Sequence, residues 1–63
     1  MYNKIRIIRK KMSLSQRELA KLSGVSQTHI TNLENGTRVP TITTARKIAS
    51  ALNTTVDDLF PRD

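Results

Sequence analysis

The apolar residues of this 63-residue chain recur at helical spacing from one end to the other. Ile5, Ile8 and Met12 fall at i, i+3 and i+7 among Lys4, Arg6, Arg9, Lys10 and Lys11, the periodicity of an amphipathic first helix that Ser13 is expected to end. Ser15-Gln16-Arg17-Glu18 has the form of a capping box, so a second helix is predicted to begin at Gln16. It turns Leu19, Ala20 and Leu22 inward and stops before Gly24, a residue suited to the left-handed conformation of a helix terminator. Ser26 caps a third helix, with Ile30 and Leu33 on one face and Asn35-Gly36 at its end. An Asn-Gly pair also marks hairpins, but no strand-like alternation flanks this one. After a loop over residues 37–40, Thr41 or Thr43 caps a fourth helix that buries Ala45, Ile48, Ala49 and Leu52 and stops at Asn53. Thr55-Val56-Asp57-Asp58 then sets a cap and two acids at the start of a short fifth helix, Val56 to Phe60, where they suit the helix dipole. The expectation is a compact all-α domain of five helices spanning residues 1–63.

Size and composition narrow the function. A domain of this length buries only about 60% of the surface its unfolded chain exposes, and with no Cys and a single His, His29, neither disulfides nor a Cys/His zinc site staples it. His29 reads as a partly exposed packing residue. No window approaches the roughly 18 apolar residues of a membrane span, and the basic N-terminus lacks the continuous apolar run of a secretory signal, so a cytoplasmic protein is expected. No nucleophile–base pair, metal cluster or phosphate-cradling Gly loop is present. Asp57 and Asp58, adjacent on a helix, diverge in direction and are explained by capping. Neither catalysis nor a cofactor is therefore expected. The net charge of +6 is unevenly spread: ten basic and two acidic residues lie within 1–47, one basic and three acidic within 48–63. One end is built to meet anions.

The informative segment runs from Gln16 to Asn35. Two short helices separated by so tight a turn must cross steeply, which is the helix-turn-helix arrangement. Ala20 is small where the helices approach, Gly24 turns the chain, Val25 plugs the corner, and Ile30 and Leu33 anchor the third helix. With Arg9, LSQRELA at 14–20, SGVS at 23–26, ITNLENG at 30–36, Pro40, KIASALN at 47–53 and VDDLF at 56–60, nearly the whole chain resembles the lambda-repressor-like helix-turn-helix proteins, the Cro or XRE family. Ser13 stands where the family often has Gly, and Met12 where a polar residue is usual.

On the third helix, Gln27, Thr28, Thr31, Asn32 and Asn35 fan across one uncharged polar arc opposite Ile30 and Leu33, at about 100° per residue. Gln and Asn can pair with adenine in the major groove, and Thr offers both hydroxyl and methyl. The resemblance implies that Gln27, Thr28, Thr31 and Asn32 face bases. The start of the second helix is an anion site to which Gln16 adds an amide, and relatives place a phosphate there. Asn35, Thr37 and Arg38 match backbone-gripping positions, with Arg17 and Lys21 assisting. Arg9 and Glu34 match a structural ion pair joining the first and third helices. The implied function is a sequence-specific transcriptional regulator, a repressor, binding an inverted-repeat operator as a homodimer. The acidic C-terminal end, with Val56, Phe60 and Pro61, is the expected dimer contact, helped by Tyr2, with Phe60 turned to the rim. Bacterial or phage origin and association with the nucleoid are part of the same implication. Two alternatives stay open: an antitoxin that neutralises a protein toxin and autoregulates its operon, and a cationic peptide folding on anionic lipid. A toxin or an antirepressor is the protein partner such a regulator would meet.

Overall fold

In the computed structural model, which describes residues 2–61, five helices follow in order: α1 Ile5–Lys11, α2 Gln16–Ser23, α3 Gln27–Glu34, α4 Ile42–Ala51 and α5 Val56–Leu59. Four of them begin at a hydroxyl cap. Ser15, Ser26, Thr41 and Thr55 each accept a backbone N–H three residues on, satisfying a donor the helix itself leaves free. At Ser15 the box is complete, because Glu18 accepts the Ser15 N–H in return. The Ser15 N–H, and after it the Ser15 hydroxyl, hold the Glu18 carboxyl below its ordinary pKa. The start of α1 is managed differently. Lys4 offers no side-chain cap; instead the Asn3 carbonyl oxygen accepts the Ile5 N–H at 3.1 Å while its amide donates to the Leu33 carbonyl at 2.7 Å. One side chain thus caps α1 and ties it to the end of α3.

The helix ends are equally local. After α1, α3 and α4 the chain turns through left-handed residues, Ser13, Gly36 and Asn53. In each case the next residue's N–H reaches back to the carbonyl five earlier: Leu14 to Arg9, Thr37 to Asn32, Thr54 to Ala49. This is the Schellman closure. Gly24 ends α2 at φ +72°, and a Cβ there would meet nothing within 4 Å, so the demand at this corner is conformational rather than one of space.

Every helix contributes at least one fully buried aliphatic side chain: Ile5, Leu19, Ile30, Leu33, Ile48 and Leu59. Val25, Ala45, Ala49, Leu52 and Phe60 complete the core. α2 packs on α3 and α4, α1 on α3, and α4 on α5. A backbone bond of 2.9 Å from the Lys4 N–H to the Leu59 carbonyl brings the first and last helices together.

Two side chains depart from the sequence expectation. Leu22, expected inward, is 61% exposed. The buried line of α2 runs through Leu19 and Ser23, where the Ser23 hydroxyl donates to the Leu19 carbonyl and accepts the Val25 N–H; Leu22 lies about 100° from Ser23 and falls outside that line. Phe60, expected at the rim, is only 8% exposed and belongs to the core. Its φ of −123° and ψ of 75° leave the helix, so the helical rotation that would have carried it outward does not apply. The fifth helix accordingly closes at Leu59.

Ser13 sits at φ +58°, a region costing a non-Gly residue about 1 to 2 kcal/mol, less for Asn. Ser13→Gly removes that strain and adds some unfolded-state entropy, so the variant is expected to be about 0.5 to 1 kcal/mol more stable. Asn53→Gly is expected to gain less. Urea denaturation of the two variants beside the parent chain checks the ordering.

Candidate nucleic-acid interface

The Glu34 carboxylate, at the end of α3, is 0% exposed and is held by three side chains from two neighbouring helices. From α1, Arg9 closes on it with two bonds, Nε to Oε2 at 2.8 Å and Nη2 to Oε1 at 3.0 Å, and its Nη1 reaches the Leu14 carbonyl at 2.8 Å. Arg6, one turn earlier, donates to Oε1 at 3.1 Å and to the Asn35 side-chain oxygen at 3.1 Å. From the first residue of α2, the Gln16 amide donates to Oε1 at 3.2 Å. Burial pushes the Glu34 pKa up, but the hydrogen bonds from Arg9, Gln16 and Arg6 and the charge of Arg9 outweigh it and hold the carboxyl below its ordinary value. The hydrogen bonds to Glu34 likewise raise Arg9 despite its desolvation. The two arginines contribute unequally. The Arg9 side chain is 9% exposed and that of Arg6 51%. Loss of the enclosed partner costs about 3 to 5 kcal/mol, loss of an exposed one under about 1 kcal/mol.

This cluster reaches the polar face of α3 through Gln16, whose carbonyl oxygen accepts the Thr31 hydroxyl at 2.8 Å. On that face Gln27 and Thr28 are exposed, while Thr31 and Asn32 are half-buried; none carries charge, and Ile30 and Leu33 anchor the opposite side. Ser26, Thr28, His29, Asn32 and Arg38 line one shallow depression. The fold therefore sets the exposed Arg38 of the following loop on the same depression as Thr28 and Asn32, a proximity that spacing along the chain does not reveal. His29 is half-buried at its edge.

The expected phosphate-gripping residues divide. Among the described residues Glu34 accepts every ion pair, which leaves the exposed Arg17 and Arg38 without a carboxylate partner, while Lys21 acts on Glu18 through its charge alone. Asn35 is engaged by Arg6 through its oxygen only, so its amide N–H groups remain available. Gln16 uses one amide hydrogen on Glu34 and keeps the second. Thr37 differs: its backbone N–H and its hydroxyl both go to the Asn32 carbonyl, so its donors close α3. Sequence reasoning overlooked Arg6, although it lies at i−3 from Arg9 on the same helix face.

Tyr2, Val39, Pro40, Ile42, Val56 and Pro61 lie among the lining of a separate apolar groove of about 600 Å³ floored in part by Phe60 and Ala45. Val39 and Ile42 were missed; two apolar residues flanking Pro40 in a loop were the available signal. Among the described residues Asp57 is the one charged side chain on its wall.

A family model for helix-turn-helix proteins matches residues 5–59. The chain belongs to the Cro/C1-type helix-turn-helix family. It is an all-helical, lambda-repressor-like domain and a DNA-binding transcriptional regulator. It is 42% identical over 60 residues to an uncharacterized HTH-type transcriptional regulator of Archaeoglobus fulgidus, covering 95% of this chain and 86% of that protein. It is 40% identical over 58 residues to the control protein C.SmaI of Serratia marcescens, covering 92% and 69%. With the HTH-type regulator YgzD of Bacillus subtilis it shares 32% over 60 residues, covering 95% and 91%. Among the described residues no helix is long and apolar enough to cross a membrane.

A carboxyl whose folded pKa is depressed contributes stability that is full above its ordinary value of 4.5 and is lost as pH falls through the folded value. The regulator is therefore expected to melt at progressively lower temperature once pH drops below 4.5. Glu34→Gln is expected to melt lower at neutral pH and to show a shallower acid dependence. Thermal melts of both proteins across that range read the difference.

Proposed function

We propose that this regulator is a cytoplasmic repressor that binds an inverted-repeat operator as a homodimer, with α3 in the major groove of each half-site. The observation that carries the reading is the uncharged amide and hydroxyl face of Gln27, Thr28, Thr31 and Asn32, flanked by exposed Arg38. Amides pair bidentately with adenine N6 and N7, and an unpaired guanidinium beside them supplies phosphate affinity without reading sequence. Arg17, Gln16 and the free N–H groups at the start of α2 meet a second stretch of backbone, with Asn35 adding its amide.

One helix in one groove discriminates poorly, and two copies with half-sites about 34 to 36 Å apart double the readout. A dimer lying across such a site occludes the duplex, which is the basis for reading it as a repressor. The apolar groove is the surface assigned to the second copy. Its exposed Tyr2, Val39 and Ile42 join the half-buried Val56 and Pro61 expected from the sequence. Among the described residues its wall is uncharged apart from Asp57, so two strongly basic chains meet there with little repulsion between these residues while their cationic sides stay free for DNA. Phe60 supports the wall from within the core.

Selection of a bound sequence from a random duplex pool tests the reading. On that sequence Gln27→Ala or Asn32→Ala is expected to cost about 1 to 3 kcal/mol with little change on random DNA. Arg38→Ala is expected to weaken both and to lower the slope of log affinity against log salt by about one. Equal loss on both DNAs for the α3 variants refutes base reading by this face.

The dimer is tested separately with Val39→Asp and Ile42→Asp, both at exposed positions. Sedimentation is expected to give folded monomers that bind the full operator more weakly. A chain that stays dimeric with both substitutions has its interface elsewhere.

A further inference from the structure

The Thr31 hydroxyl has one proton, and two protein acceptors stand ready for it: the Gln16 side-chain oxygen at 2.8 Å and the Gln27 carbonyl at 3.0 Å. Gln16 is itself held by its amide on the Glu34 carboxylate, which Arg9 and Arg6 fix from α1. The hydroxyl is thus turned toward the protein at the end of a chain of bonds that begins in the core. What remains for a base edge is the γ-methyl and an oxygen able only to accept.

We infer that Thr31 reads a thymine through its methyl group, and that Gln16 is the positioning residue that makes it do so. The inference rests on the proposed placement of α3 in the major groove. A side chain presenting a methyl and an acceptor matches a T·A pair, which offers the thymine 5-methyl and the adenine N6–H donor in that groove. It mismatches guanine, whose groove edge carries only the N7 and O6 acceptors. Had the hydroxyl been free to rotate, it could have donated to those acceptors, and the position would have been permissive. Gln16 therefore has a role beyond any phosphate contact: as the nearer of the two acceptors, it shares with the Gln27 carbonyl the task of engaging the donor that would blur this position.

The test uses the operator selected by the intact protein, with each thymine of one half-site replaced in turn by deoxyuridine, which deletes the methyl alone. Affinities are read by fluorescence anisotropy. For the parent chain one replacement is expected to weaken binding about fourfold, the worth of one buried methyl. Thr31→Val, which keeps the methyl and loses the hydroxyl, retains that ratio; Thr31→Ser, which does the reverse, loses it. Gln16→Ala, in which only the Gln27 carbonyl still competes for the proton, lowers the ratio and gains affinity for operators with guanine at that position. A uniform loss for thymine and deoxyuridine alike in Gln16→Ala reduces Gln16 to a backbone contact and overturns its positioning role. A flat deoxyuridine series for the parent chain, or a ratio that vanishes in Thr31→Val, overturns the methyl readout while leaving α3 as the reading helix. If no common sequence emerges from the pool, the groove placement itself fails and this inference with it. Circular dichroism melts of the Val and Ser variants confirm that each is folded.

Discussion

A carboxylate sealed from water must be paired or it will not stay ionised, and in this domain that constraint falls on Glu34. Its partners come from places far apart in sequence. Arg9 and Arg6 arrive from the first helix and Gln16 from the second. Arg9 in turn binds the Leu14 carbonyl in the turn between those helices. One side chain thereby fixes the relative placement of the first three helices at the end of the third. The apolar core would pack these helices together, but apolar contact is non-directional and tolerates sliding. Hydrogen bonds of 2.8 to 3.2 Å do not.

That division of labour suits a chain this small. With one fully buried aliphatic side chain or two from each helix, there is little redundancy in the core, so the ends of the helices carry much of the definition. Four hydroxyl caps and three Schellman closures leave few orphan backbone groups at the short helices. No buried side-chain polar atom among the described residues lacks a partner. Side-chain caps contribute about 1 kcal/mol each, which matters in a domain whose whole stability is of that order multiplied by a few. The same economy places the face proposed for DNA recognition close to the structural cluster. Thr31 is one hydrogen bond from Gln16 and two from Glu34, so a substitution that disturbs the cluster reaches the polar face of α3 as well as the fold.

The face proposed for DNA and the groove proposed for the second copy differ in charge. Bases dominate the first three quarters of the chain and acids the last part, and the folded chain keeps the apolar groove near the acidic part. Exposed Val39 and Ile42 on that groove, rather than Phe60, carry its unsatisfied apolar surface.

The helices, their starts and stops, and the family pattern were legible in the sequence because the interactions that decide them span three to five residues. A hydroxyl capping an N–H three positions on, a left-handed residue closing a turn, and aliphatic residues 100° apart on a helix need no knowledge of the rest of the chain. The arc of Gln27, Thr28, Thr31 and Asn32 was readable for the same reason. Tertiary structure alone decided where that local arithmetic stops. Phe60 turns inward because the backbone leaves the helix one residue before it, and Leu22 turns outward because Ser23 occupies the buried line. Arg38 comes to lie beside Asn32 by the path of a loop. Gln16, which from sequence pointed only toward phosphate, is bound to residues 15 and 18 positions away. No periodicity along the chain encodes a hydrogen bond across such separations; it exists only once the hydrophobic core has brought the helices together.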